Sequence, residues 1–390
     1  MTKTVVILGA SFAGVPIAHH LLAHQVPLIP DLKIILVSPN THLYWAPAAV
    51  RGIVPGTGFD DKLFYPIAPG FAKYPSGKFE FVLGTAEALD TTSKIVAVRT
   101  TEGAAREIPY HTLVIATGTS AKEDMPFKTI STTEHTRDVL RDWQHRIEAA
   151  KSIVVAGAGI TGIEVAGELA EVYGKKAGGK KKITLVGADV LPLHDEMTTS
   201  VRQAAKKSLE KMGVHVVLNA KVTEVEDNAS SGKTLTLSLP GGKKDTLETN
   251  VLIPTYGLQP NTSFVPGSML DHRGFVKQTK FLRAEGHDDI FVVGDVGNLE
   301  TPQSMHTENQ TVHVVKSLAA QLKGEQVPEY TFSKEVGFGA SLGPGGGVGQ
   351  MFGWKLPGFV IKYAKGKTLA TDRAPAYVEG KRTLMQSKWA

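Results

Sequence analysis

The sequence predicts an α/β fold in which two similar strand–turn–helix–strand units are followed by a small α+β C-terminal domain. Three observations carry that prediction. A β-branched apolar run ending in a glycine turn occurs twice, with Gly157 standing 148 residues after Gly9. Each turn opens a helical apolar pattern (Ile17, Ala18, Leu21, Leu22; Ile163, Val165, Ala166, Leu169), and each helix leads to a further apolar run at 33–37 or 182–186. The third is composition: 42% hydrophobic and 21% charged residues in 390, with ample material for cores and a length suited to two or three domains. The repeated βαβ unit is the Rossmann-like pattern, so the expected fold is α/β with two Rossmann-like dinucleotide-binding domains.

The elements follow in order. After the first unit, strands are expected at 79–83, 94–99 and 113–116. After the second they are expected at 214–218, 234–239, 251–254 and 290–293, with a helix over 303–322. Pro66, Pro69 and Gly70, the Gly178–Gly179 pair and the Gly241–Gly242 pair mark loops. The stretch 337–353 is unusually rich in glycine and opens a region of different composition. The chain therefore divides into a discontinuous domain at 1–125 plus 250–325, an inserted domain at 126–249, and a C-terminal domain at 326–390.

The sequence has no cysteine. Disulfide reductases, thiol peroxidases, iron–sulfur and zinc-thiolate sites are excluded, so electron chemistry must belong to a bound cofactor. His19, His20 and His24 form no metal-site pattern, and neither a metal nor a nucleic-acid partner is expected. The net charge of +5 hides an asymmetry: residues 351–390 hold eight basic and two acidic residues. No apolar run approaches the ~20 residues of a membrane span. The opening residues enter a strand at once, which reads as no signal peptide, and Thr2 excludes N-myristoylation. A soluble cytoplasmic protein, at most membrane-peripheral, is the expectation.

The glycine turns bear the chemistry. The first glycine permits the tight turn, the second lets backbone approach a pyrophosphate, and the third lets helix pack on strand. The helix N-terminus then offers free N–H groups to the anion. Gly157, Gly159 and Gly162 satisfy this fully. In the first copy Gly9 and Gly14 hold the outer positions and Ser11 the middle one. Two dinucleotide units in one chain suit a hydride passing from a nicotinamide to a flavin. Two further segments look like flavin-dinucleotide motifs: the strand end Ala116-Thr117-Gly118, and the run closing on Gly294-Asp295, a motif whose aspartate bonds the ribityl chain.

These four motifs, in this order, make the chain similar to the two-dinucleotide-binding-domain flavoproteins. Within them it most resembles the AMID-type, apoptosis-inducing-factor-like and ferroptosis-suppressor-like, NAD(P)H:quinone oxidoreductases. The most specific parts are the glycine-rich run from Ser341 to Gly353 with the basic, aromatic stretch after it, and the run 48–51, where that family places an arginine at the flavin. The resemblance implies FAD, NADH or NADPH as donor, and a quinone-like two-electron acceptor. It also implies an FAD domain, an NAD(P)H domain and a C-terminal domain. Departures exist: Ser38, with Asn40, stands where an acid normally holds the flavin ribose. In the nicotinamide unit Asp189 comes two residues late, with no cation after it for a 2′-phosphate, which leans toward NADH.

The expected cofactor-binding set is therefore Gly9, Ala10, Ser11, Ala13, Gly14, Ser38, Arg51, Ala116, Thr117, Gly118, Gly294 and Asp295 for one dinucleotide. For the other it is Gly157, Gly159, Ile160, Thr161, Gly162 and Asp189; Ala86 and Gly257 complete the set. Glu164 is the expected catalytic acid, orienting the nicotinamide or relaying a proton, with Glu168 one helical turn on. Related NADH:quinone enzymes point the helix at 303–322 toward the flavin, so the resemblance implies His306 and Gln310 near the ring as further catalytic residues. Lys365 matches a family lysine but reads more simply as part of a basic face. For the hydrophobic and basic stretch 351–367, Pro357 and Gly358 favour packing over the flavin or across a homodimer, with weak membrane contact. Two other functions stay open: a flavin-dependent tailoring oxidoreductase for a specific metabolite, and a non-enzymatic NAD(H)-sensing flavoprotein.

Overall fold

The computed structural model describes residues 3–228, 232–332 and 337–390. Met1 and Thr2, on which the myristoylation reading rests, lie outside them. The main helices are α1 (Gly14–His24), α2 (Ala49–Gly52), α3 (Thr133–Ala149), α4 (Ile160–Tyr173), α5 (Thr199–Met212) and α6 (Ser304–Lys323).

Strand Lys3–Leu8 is the middle of the five parallel strands of a seven-stranded sheet. It pairs in parallel with Leu32–Ser38 on one side and Thr112–Ile115 on the other. Ile290–Val292 closes the far edge beside Thr112–Ile115, also parallel. Beyond Leu32–Ser38 lies Phe79–Asp90, a strand that runs on past the expected 79–83. Its second half pairs antiparallel with Ile95–Thr100, which pairs with Ala105–Pro109. Val5, Val6 and Ile7 are fully buried, as a central parallel strand covered on both faces requires. Helix α1 packs its Val15, Ile17, Ala18 and Leu21 on one face.

The second sheet repeats this arrangement in the order His215–Val217, Lys182–Val186, Ser152–Ala156, Val251–Pro254, all parallel. This moves one boundary. The division at residue 250 assigns 251–254 to the first domain, but the strand pairs with Ser152–Ala156 and completes the second sheet. A ladder between Leu258–Pro260 and Thr119–Ala121 then links the two crossovers. Three strands at Lys221–Asp227, Lys233–Ser238 and Lys244–Thr249 form an antiparallel layer. Only the middle strand is evident in the sequence, because the outer two are largely exposed and carry little apolar alternation.

The C-terminal region forms an antiparallel sheet of Phe338–Ser341, Gly347–Met351 and Trp354–Lys355, followed by short helices. Its glycines let Ile361 lie directly on the sheet: a Cβ on Gly349 would sit 2.7 Å from Ile361 Cδ1. The expectation that the 351–367 side chains are packed away needs correction within one chain. Met351, Phe352, Trp354, Phe359 and Tyr363 are exposed, and Ile361 is the large side chain of that stretch that is buried.

Candidate active site

Both glycine turns sit at the carboxyl end of a central parallel strand, as the spacing predicts. Gly9 and Gly157 have φ of +104° and +108°, and each N–H bonds across to the neighbouring strand, at Val37 O and Val186 O. Any side chain on Gly162 would lie 1.8 Å from Gly157 O, so the helix touches the turn backbone there. Gly159 faces open space, with nothing within 4 Å of where a Cβ would stand. Neither α1 nor α4 has a side-chain N-cap, although in α1 the Val15 N–H is taken by Ser11 O at 3.2 Å. A helix N-terminus at each turn, with the open Gly159 position at the second, fits one pyrophosphate at each.

The flavin-side segments come together at the first turn. Ala116 follows Thr112–Ile115, and its carbonyl would be 2.3 Å from a Cβ on Gly9, which explains the glycine. Thr117 Oγ1 donates to Asn261 O at 2.8 Å, Asn261 Nδ2 returns a bond to Thr117 O at 2.8 Å, and Ser120 Oγ donates to Asn261 Oδ1 at 2.7 Å. Asn261 thus locks the Thr117–Gly118 turn. Asp295 follows Gly294 at the end of Ile290–Val292, and its carboxylate accepts from Lys128 Nζ at 2.7 Å and Thr307 Oγ1 at 3.3 Å. Thr307 lies in the first turn of α6, so the helix N-terminus approaches Asp295.

Gln310 and His306 share a neighbour. Gln310 Oε1 accepts from Gly294 N at 2.8 Å, and its Nε2 donates to Glu300 Oε2 at 2.9 Å. His306 Nδ1 bonds Thr301 O at 2.8 Å, and its Nε2 lies 3.9 Å from Glu300. Gln310 therefore braces the Gly294–Asp295 turn, while His306 is tied to the Glu300–Thr301 segment. Ser38 is buried and its Oγ accepts from Asn40 N at 3.1 Å. Ala86 is buried in the long first-sheet strand, Gly257 adopts φ +80° beside Lys122, and Asp189 is exposed after the second strand of its unit.

Glu164 stands in a separate cluster. Its Oε1 accepts from Ser341 N at 2.9 Å and Lys365 Nζ at 2.6 Å. One turn along, Glu168 takes a two-pronged bond from Arg51, Nε to Oε2 and Nη2 to Oε1, both 2.7 Å. Arg51 also donates to the carbonyls of Gly366 at 2.7 Å and Lys367 at 2.9 Å, and lies over the Phe59 ring. The side chains of Arg51, Glu168 and Glu164 are each 5% exposed or less, while Lys365 retains 26%. Two acids are thus matched by two cations where α2, α4 and the C-terminal unit meet. Burial pushes the Glu168 carboxyl up, against the pull of the Arg51 guanidinium. Lys365 is turned inward, which replaces the basic-face reading of that residue. It gives the buried Glu164 carboxylate a partner that still reaches solvent, an arrangement able to hold or pass a proton.

Sequence reasoning missed Lys128, Asn261 and Ser341. Lys128 lies in the connection entering the second unit, Asn261 in a loop, and Ser341 is a single hydroxyl in a glycine run. No spacing rule marks any of them, and each is found through a residue that a motif did mark.

A family model described as pyridine nucleotide-disulphide oxidoreductase matches residues 3–314. The oxidoreductase ptaL of Pestalotiopsis fici is 40% identical over 379 residues, covering 97% of this chain and 99% of its own. Human ferroptosis suppressor protein 1 is 26% identical over 369 residues, covering 94% of this chain and 93% of its own. The sulfide:quinone oxidoreductase of Aquifex aeolicus has the same fold, with a TM-score of 0.78 at 18% identity over 97% of this chain and 92% of that one.

Proposed function

The chain belongs to the pyridine nucleotide-disulphide oxidoreductase family and is an FAD-dependent NAD(P)H oxidoreductase, and on that footing we propose that it delivers two electrons from NADH to a quinone-like acceptor in the cytoplasm. Bound FAD supplies the two-electron relay between donor and acceptor. The remaining work is done by the chain's own residues. The uncapped N-terminus of α1, with Ser11, Ala13 and Gly14, binds one pyrophosphate, and that of α4, with Gly159 to Gly162, binds the other. Asp295, held by Lys128, takes the ribityl hydroxyls. Asp189 takes the adenosine ribose of the donor and disfavours a 2′-phosphate, which selects NADH over NADPH.

The observation that carries the proposal is the Glu164–Lys365 contact at 2.6 Å on the nicotinamide-turn helix. It supports a proton-relaying role for Glu164, on the helix that follows the nicotinamide turn, since reduction of a quinone consumes protons as well as electrons. The C-terminal resemblance to quinone reductases supports the acceptor class, as does the sulfide:quinone enzyme among the fold neighbours. The test is anaerobic stopped-flow reduction by NADH and by NADPH, followed by mixing with a short-chain quinone. Fast bleaching by NADH and fast return with quinone is expected. A protein that cannot be loaded with FAD overturns the reading. Slow reoxidation by quinone after fast reduction moves the acceptor to a metabolite or oxygen, or makes the protein a nucleotide sensor.

A further inference from the structure

A carboxylate removed from water needs donors in place of the water it lost. Glu308, on α6, is 2% exposed. Its oxygens accept from Thr383 Oγ1, from Leu384 N at 3.2 Å and from Met385 N at 3.2 Å, all three in the C-terminal tail. Each of these donors is neutral, so the tail itself solvates the charge. Thr307, the residue before, bonds Asp295, and Gln310, two residues on, holds the Gly294 N–H. The tail is thereby fastened to the part of α6 that shapes the flavin-side turn.

The same segment meets the first glycine turn. Phe12 lies inside that turn, between Ser11 and Ala13, and its carbonyl accepts from the fully buried Tyr377 OH at 2.7 Å. The rings of Phe12, Trp45 and Tyr377 pack edge to face, with centroids 5.2 to 5.7 Å apart. Trp389 Nε1 donates at 2.8 Å to Pro16 O in the first turn of α1. A Cβ on Gly380 would fall 2.3 Å from His19 Cγ, so the tail backbone lies on α1 with no space between them.

One ligand gripped at two places is bound tightly only while the grips keep their spacing. The pyrophosphate turn belongs to α1, and the aspartate for the ribityl chain adjoins α6. We propose that residues 374–390 are the clasp that retains FAD, holding Phe12 and α1 at one end and Glu308 of α6 at the other, so that the cofactor leaves when this segment lifts. Glu308, Tyr377 and Trp389 are positioning residues, acting through the turn and through α6. The inference is independent of the electron acceptor and rests on the placement of FAD between the first turn and Asp295.

The experiment dilutes the FAD-loaded protein and follows release by the rise of free-flavin fluorescence. Tyr377→Phe and Trp389→Phe keep a ring and remove one hydrogen bond each, and about five-fold faster release is expected from either. Glu308→Gln, which removes the charge that the tail donors face, should give at least about ten-fold. Val201→Ala, a cavity in the buried face of α5, is the control for general instability: it should lower the melting temperature and leave release unchanged. Hydrogen exchange of the loaded protein reads the clasp directly. Excess free FAD should slow exchange at the Leu384 and Met385 amides, because docking of the tail and binding of FAD must favour each other by the same factor. Parental release from all three tail variants overturns the proposal, as does equally fast release from Val201→Ala or exchange at those amides that ignores FAD. A protein that never loads FAD refutes the oxidoreductase reading itself, whereas a loaded protein whose tail variants hold FAD normally refutes the clasp alone.

Discussion

Lys128 reaches the Asp295 carboxylate at 2.7 Å while that side chain keeps 12% exposure, so the pair is not sealed from solvent at the proposed flavin site. A charge-assisted bond at such a place contributes more than a surface ion pair. Lys128→Met is expected to weaken FAD retention roughly ten-fold, read by titration of the apoprotein with flavin absorbance or fluorescence. Unchanged FAD affinity would remove Lys128 from the site. Arg51 calls for a different test, since it is buried and joins three segments. Arg51→Met leaves the Glu168 charge without a cation, with only Ser341 Oγ at 3.4 Å, and a loss of about 3 kcal/mol in denaturant unfolding is expected. Combining it with Glu168→Leu should recover most of that loss. If the double substitution is as unstable as the single one, the cluster's strength lies in packing and in the bonds to Gly366 and Lys367.

At the scale of elements, the second glycine turn separates architecture from binding. Gly162 has no room for a methyl group, while Gly159 has open space ahead of it. Gly162→Ala is therefore expected to unfold or misplace α4. Gly159→Ala should keep the melting temperature and FAD content while weakening NADH binding by at least about ten-fold, because its methyl occupies ground the pyrophosphate needs. Isothermal titration with NADH checks both, and normal binding by Gly159→Ala would place the nucleotide elsewhere. Helix α6 follows the same logic. Its first turn meets Asp295 through Thr307, and Gln310 holds the Gly294 N–H, so this helix sets the shape of the flavin-side turn.

For the whole molecule, the C-terminal tail is a strap across α1. Trp389 Nε1 donates to Pro16 O at 2.8 Å, Tyr377 OH donates to Phe12 O at 2.7 Å, and His19 Nε2 bonds Val378 O at 2.9 Å. His19 is stacked on Phe71 at 3.9 Å, and burial lowers its pKa to about 3. A folded pKa below the unfolded value of 6.5 means the neutral ring's contribution is complete above pH 6.5. It is then lost as pH falls toward 3, with a slope of up to about 1.4 kcal/mol per pH unit. Unfolding measured from pH 7 to pH 4 should show this loss, and His19→Phe should flatten it. An unaltered slope in that variant would shift the acid sensitivity to another group.

Much of this protein is local, and that part was legible in the sequence. Strand, glycine turn and helix are contiguous, and their period and turn chemistry express steric rules acting over a dozen residues. Gly9, Gly14, Gly157, Gly159 and Gly162, the Ala116–Gly118 turn and Asp295 could therefore be assigned at once. Strands on exposed layers escaped because nothing buries one face of them and the alternation fades. The pairings of Lys128 with Asp295, Arg51 with Glu168 and Lys365 with Glu164 span 167, 117 and 201 residues. The placement of Val251–Pro254 in the second sheet is of the same kind. Residue type alone cannot decide between an inward ion pair and a solvated surface charge, since the long side chain suits both. Only the packing of sheets, helices and tail fixes which oppositely charged groups lose water together, and so which residues share a site.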